Sequence, residues 1–187
     1  ALAAGAYMTA LASEYYQTIN TLALAKGAEH VLILNVPDIT LTPRFKAVLY
    51  GVTQQAGEAT AGQLKAAIQG WAQAFNAKLA ELAADESRVA IADFYTDFSN
   101  QTADPSSYGI TNATDAACPV VGADSQGLPQ YNFPTCVDAL LDNDTSNGRT
   151  SGWWETYAFS DGFHPTPKGH ESLAALVTRT LTSAGWL

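Results

Sequence analysis

Positive charge is scarce in this chain: nine Lys and Arg stand against eighteen Asp and Glu, a formal net charge of −9. A surface so acidic repels phosphate backbones and anionic membranes, so no nucleic acid is expected as a partner, and neutral or zwitterionic substrates stay open. Long apolar runs are missing too. No stretch reaches the roughly 18 uninterrupted apolar residues that signal a transmembrane helix, so nothing is expected to span a membrane. Cysteine is limited to Cys118 and Cys136, in a stretch rich in Asp, Gly, Pro and Asn. Their separation suits a disulfide closing a loop of modest size. A metal site is the competing reading, but two cysteines without a nearby histidine are a poor ligand set. No metal and no cofactor are therefore expected.

What is present reads as globular. Apolar residues make up 47% and charged residues 14% of 187 positions, enough for one domain with its own core and too few for two. Low lysine content, abundant Asn, Thr and Gly and a disulfide-ready cysteine pair point to an exported protein. The sequence opens directly into a helical pattern with no basic segment before it, so it carries no recognisable signal peptide. On the export reading it is a mature form or a piece of a longer chain.

Periodicity gives the order of elements. Residues 3–26 predict a helix with Tyr7, Leu11, Tyr15, Ile19 and Leu22 on its buried face and Gly27 as its C-cap. Val31-Leu32-Ile33-Leu34 is a continuous apolar run, the mark of a strand in a parallel sheet. The segment from Asn35 to Asp38, punctuated again at Pro43, reads as loop. A helix is predicted over 58–84, with Leu64, Ile68, Trp71, Phe75, Leu79 and Leu82 inward. Val89 to Phe94 is the second strand, followed by a short helix near 95–100. Residues 101–152 show no sustained period. Tyr157-Ala158-Phe159 leads into a turn, after which Thr166 as N-cap and Pro167 at the first helical position open a last helix to Ser183. Helix–strand alternation of this kind predicts an α/β fold with a parallel sheet. Two strands alone leave that sheet short of partners, which implies missing upstream strands.

Of the three histidines, His30 and His170 read as surface residues, one at a helix–strand junction and one in the first turn of the last helix. His164 stands three residues after Asp161 on a glycine-containing turn, Asp161-Gly162-Phe163-His164-Pro165-Thr166. There a carboxylate can hold one ring nitrogen and leave the other free as a general base; the bland reading is a polar turn that caps a helix. Trp153, Trp154 and Phe163 crowd this turn, either as an acyl pocket or as core. Asp142 to Gly148 faintly resembles a calcium loop, with the glycine and closing glutamate out of place. Asn100, Asn112 and Asn143 begin Asn-x-Ser/Thr sequons, meaningful only in a eukaryotic source.

Four stretches together resemble the C-terminal portion of the GDSL (SGNH) hydrolases, in particular the secreted bacterial esterase and phospholipase branch. Ala25 to Asp38 with Leu41-Thr42-Pro43 looks like the family's fourth strand and following loop, and Val89 to Phe94 like its fifth strand. Pro105 to Asn112, ahead of Cys118, is similar to the segment before its cysteine-bearing loop. Tyr157 to Thr166 is similar to the block that holds the triad Asp and His. The resemblance implies a three-layer α/β/α domain with a flavodoxin-like parallel sheet, of which residues 1–187 are the C-terminal part, supplying the last strands and helices. It implies Asp161 and His164 as two members of a Ser-His-Asp triad acting on an ester or lipid, with Pro37, Trp154 and Phe163 as candidate substrate contacts. The location it implies is extracellular, at the bacterial cell surface or in the periplasm.

The departure from the family is equally specific. Its Gly-Asp-Ser nucleophile motif and its Gly-x-Asn-Asp oxyanion motif are both absent from this sequence. The expectation is a chain cut just after the Asn block, needing an N-terminal chain of the same protein to bring the serine. The alternative is a binding or regulatory fragment that keeps the fold without the chemistry.

Overall fold

The computed structural model describes residues 2–187. In chain order the elements are α1 (Leu2–Leu22), β1 (Val31–Leu34), α2 (Pro43–Ala56), α3 (Glu58–Ala83), β2 (Val89–Ala92) and α4 (Phe94–Ala103). Then follow β3 (Asn112–Ala116), β4 (Val120–Ala123), β5 (Pro129–Tyr131), α5 (Asp138–Asp142), β6 (Tyr157–Phe159) and α6 (Pro167–Ser183). The class is α/β, as the helix–strand alternation predicts. The chain forms two compact bodies, one holding the segment up to Asp38, Gln63–Phe98 and Leu173–Leu187, the other Ile39–Gly62 and Ser99–Ser172.

The first body is built on a parallel pair. β1 and β2 run in register from Val31 opposite Val89 to Leu34 opposite Ala92, and α2 and α3 lie in the connection that parallel pairing demands. Ala12, Ile33, Phe75 and Leu79 form the buried cluster, with Met8, Tyr16, Ile19, Val36 and Ile91 packed around it. This corrects the predicted face of α1. Tyr7 and Leu22 are 66% and 70% exposed, and the inward stripe is Met8, Ala12, Tyr16 and Ile19, one position round the helix. The small Ala12 lets the backbone approach, so the large residues beside it end outside. On α3 two of the six predicted positions, Phe75 and Leu79, are buried, while Leu64, Ile68, Trp71 and Leu82 are half-buried and Ala72 and Ala83 share the interior. α1 also ends earlier than predicted, at Leu22, followed by a 3-10 turn at Leu24–Lys26 that Gly27 closes at φ 96°.

The stretch after β1 is not loop throughout. Thr42 accepts a hydrogen bond from the Phe45 N–H, Pro43 occupies the first helical position, and a helix of 14 residues follows. Pro43, read from sequence as punctuation, is a helix start. β2 stops at Ala92 rather than Phe94, because Asp93 Oδ1 accepts from the Thr96 N–H and turns the chain into α4.

The second body contains β3 paired in parallel with β6, and the antiparallel hairpin of β4 and β5. The disulfide Cys118–Cys136 closes the hairpin region, joining residues 18 positions apart in sequence with Cα atoms 5.2 Å apart. Ala117, Leu141 and Trp154 form its buried cluster, joined by Cys136, Trp153 and Tyr157.

Candidate active site

The turn between β6 and α6 is held on every side. Phe159 bridges Pro165, the Ser160 N–H donates to the His164 carbonyl at 2.8 Å, and the Ser160 hydroxyl donates to the Pro165 carbonyl at 2.9 Å. Thr166, 1% exposed, donates its hydroxyl to the Tyr157 carbonyl and accepts the Gly169 N–H at 3.2 Å, which is the predicted N-cap. Gly169 has to be glycine: a Cβ there would lie 2.7 Å from Pro165 Cβ and 2.8 Å from the Ala158 carbonyl oxygen. Gly162 is similarly confined, with Arg44 Cβ at 3.2 Å and the Tyr131 ring at 3.3 Å from where a Cβ would stand, and its carbonyl accepts the Arg44 N–H at 2.8 Å.

Inside this frame Asp161 is 4% exposed. Its Oδ1 accepts the Phe163 and His164 N–H groups, both at 2.7 Å, and its Oδ2 lies 2.7 Å from His164 Nδ1. Burial works against ionisation of this carboxyl. The His164 and Phe163 N–H donors and the His164 ring outweigh it, and the carboxyl is held below the ordinary carboxylate range. An ionised Asp161 can only accept, so Nδ1 carries the proton, and in a neutral imidazole Nε2 is then the nitrogen with the lone pair. The His164 side chain is 71% exposed, and Nε2 makes no hydrogen bond among the described residues. The pair is thus an oriented imidazole with a free basic nitrogen facing outward.

Beside it lies a cavity of about 210 Å³ lined by Arg44, Tyr131, Phe133, Asp161, Gly162, Phe163 and His164. Phe163 packs edge-on to the His164 ring at 6.2 Å between centroids. Burial, then the nearby Asp161 charge, raise the Tyr131 hydroxyl above its ordinary pKa.

Residues 3–177 match the model of the GDSL-like lipase/acylhydrolases. The chain belongs to this family. No curated protein matches it. A GDSL-like hydrolase acts, at the coarse level the family defines, on esters and lipids, and the α/β class is the family's own.

The remaining residues singled out in sequence fall as follows in this GDSL-like chain. Phe163 lines the His164 cavity. Trp154 does not; it is 9% exposed, donates Nε1–H to Asp142 Oδ1 at 2.9 Å and lines a separate cavity of about 250 Å³ with Cys118, Cys136 and Ser160. Pro37 belongs to the other body, half-buried after β1. His30 stacks on Trp186 at 4.4 Å, and His170 is exposed in the first turn of α6. In the loop weighed as a calcium site, Asp142 accepts from Gly152, Ser151 and Trp154, and Asp144 from Ser146 and Arg149, so hydrogen bonds within the loop engage both carboxylates. No cluster of three or more His, Cys, Asp or Glu side chains suited to a metal occurs among the described residues. No helix of the described residues is long and apolar enough to cross a membrane. Sequence reasoning missed Arg44, Tyr131 and Phe133. The Thr42-Pro43 helix start could have put Arg44 in a first turn, but nothing in the aperiodic cysteine stretch marks Tyr131 or Phe133.

Proposed function

We propose that the chain is part of a carboxylic-ester hydrolase using a Ser-His-Asp triad, with His164 as general base and acid and Asp161 as the group that orients it. The observation that supports this reading is the 2.7 Å contact between His164 Nδ1 and a buried Asp161 Oδ2, with Nε2 left free. His164 takes the proton of a serine hydroxyl, and the serine attacks the ester carbonyl. His164 then protonates the departing alkoxide, and water hydrolyses the acyl-enzyme by the same route. Asp161 stabilises the imidazolium formed in each half.

With neither a Gly-Asp-Ser nor a Gly-x-Asn-Asp motif in residues 1–187, the nucleophile and the Asn donor to the oxyanion come from a preceding segment of the same protein. In this reading residues 1–187 are the C-terminal part of one hydrolase domain. The disulfide supports an oxidising location, outside the cell or in the periplasm. The rival, a non-catalytic binding fragment, is favoured by one fact: no serine hydroxyl reaches Nε2 among the described residues.

The test uses the full gene product and a short p-nitrophenyl ester. His164→Ala should lower kcat/KM by about 10²- to 10⁴-fold, and a fluorophosphonate should label a serine outside residues 1–187. Wild-type turnover in His164→Ala would sink the triad assignment. A label within residues 1–187 would sink the assignment of the nucleophile to a preceding segment. Absence of both turnover and label would favour the binding fragment.

A further inference from the structure

Four arginines occur in the sequence, and three are committed to carboxylates. Arg88 forks onto Glu86 with Nε at 2.9 Å and Nη2 at 2.7 Å. Arg149 hydrogen-bonds Asp144 and lies 3.7 Å from the centre of the Trp153 ring. Arg179 reaches Asp97 at 2.9 Å. The fourth, Arg44, makes no side-chain hydrogen bond among the described residues. Its nearest carboxylate oxygen, Asp124 Oδ2, is 3.8 Å from Nη2, beyond hydrogen-bond reach, and 45% of the side chain is exposed. This guanidinium, only loosely ion-paired with Asp124, lines the same cavity as His164.

Its root is fixed, while its head makes a loose ion pair with Asp124 and no hydrogen bond among the described residues. The Arg44 N–H donates to the Gly162 carbonyl, and Arg44 Cβ lies 3.2 Å from where a Cβ at position 162 would stand, a tight contact. Thr42 and Pro43 set the helix start from which Arg44 projects. The backbone of Arg44 is therefore bolted to the turn that carries His164, and only the guanidinium, with its fork of donors matched to carboxylate or phosphate oxygens, is left for a ligand. Around it Tyr131, Phe133 and Phe163 offer aromatic surface, Phe133 60% and Phe163 45% exposed. In a molecule of net charge −9, an anion gains nothing from the general field, so a local cation beside the reacting group selects for one.

We propose that Arg44 is a specificity-determining residue that binds an anionic group, a carboxylate or phosphate, carried by the ester hydrolysed at His164, while the aromatic wall takes its apolar part. The proposal rests on the ester-hydrolase reading above. Asp124 is the built-in competitor for this cation. Its Oδ1 accepts the Gln126 and Leu128 N–H groups of the hairpin turn, and its Oδ2 alone faces Arg44. Asp124→Asn thus keeps the turn's acceptor and removes the competing charge.

The experiment compares matched esters on the full gene product. p-Nitrophenyl hemisuccinate against p-nitrophenyl butyrate puts the anion on the acyl side; 3-acetoxybenzoate against phenyl acetate puts it on the alcohol side. The readout is the ratio of kcat/KM, anionic over neutral. Arg44→Gln should lower that ratio by about tenfold in one arm, the weight of a charge-assisted hydrogen bond, with Arg44→Lys in between. Asp124→Asn should move it the other way, by about two- to fivefold, the scale of an exposed ion pair. A purely structural role for Arg44 would lower both rates together and leave the ratio still. Should Arg44→Gln fail to fold, Asp124→Asn decides. Neutral esters turned over with ratios unmoved by both variants in both arms would overturn the Arg44 assignment and leave the hydrolase reading intact. No turnover of any ester by the wild type would overturn both.

Discussion

The two bodies of this chain hold themselves together by different physics. In the first, Ala12, Ile33, Phe75 and Leu79 exclude water around a parallel pair of strands in unbroken register. In the second, the strands are three to five residues long, the β3–β6 register shifts, and β4 is exposed along its whole length. Beside a small apolar cluster at Ala117, Leu141 and Trp154, order there comes from a disulfide, from a hydroxyl that joins strand to helix, and from a carboxylate that gathers two N–H groups and an imidazole. Apolar burial is non-directional. Hydrogen bonds fix angles as well as distances. An imidazole held with one nitrogen in one direction is served by the second kind of order, and His164 sits where that kind prevails.

The contrast can be broken first in the apolar body. Leu79→Ala removes a side chain that is 0% exposed and should cost about 2–5 kcal/mol, measured by denaturant unfolding. Its effect should fall on amide exchange in β1 and β2. Equal acceleration at the Phe163 and His164 amides would show that one core governs both bodies. Next comes the disulfide. Replacing Cys118 and Cys136 together by alanine should cost about 3 kcal/mol, the closure entropy of a loop of this size. It should speed exchange at Ala117 and Cys118, whose N–H groups donate to the Phe159 and Ser160 carbonyls; unchanged exchange there would mean that the short strands need no staple. The smallest effect is electrostatic. Because the folded Asp161 carboxyl lies below its ordinary value, its contribution to stability is fully present above about pH 4 and is lost as pH falls through the lower folded value. The Phe163 and His164 amide shifts should therefore titrate below the ordinary carboxylate midpoint. A midpoint above it would show that burial, and not the three donors, dominates at Asp161.

How much of this was legible beforehand follows the same division. The apolar runs at Val31 and Val89, the inward Phe75 and Leu79, and the Thr166-Pro167 helix start leave marks in sequence because burial and capping select residue types at fixed spacing. The face of α1 was misplaced because pattern reading weighs large side chains, whereas close packing there favours Ala12. α2 was missed because Pro43 looks the same as a breaker and as a first helical residue. The turn at Asp161 was readable through the likeness of its block to the family's, since a carboxylate three residues before a histidine is a short pattern that a helix-capping turn also produces. Its surroundings were not. Tyr131 and Phe133 reach the cavity along a disulfide-closed loop with no period to reveal it, and Arg44 arrives from 120 residues earlier in number, through a contact that no local pattern encodes.

The Thr166 hydroxyl, which donates to the Tyr157 carbonyl and accepts from Gly169, makes the site a mechanical joint. Strand, turn and helix meet at a single oxygen two residues from His164. Tension along the start of α6 is delivered to the start of β6 through that atom. A molecule pulled from its C-terminus should therefore load this joint together with the Ser160 and Phe159 contacts of the turn, and the aim of the imidazole should be lost when they part.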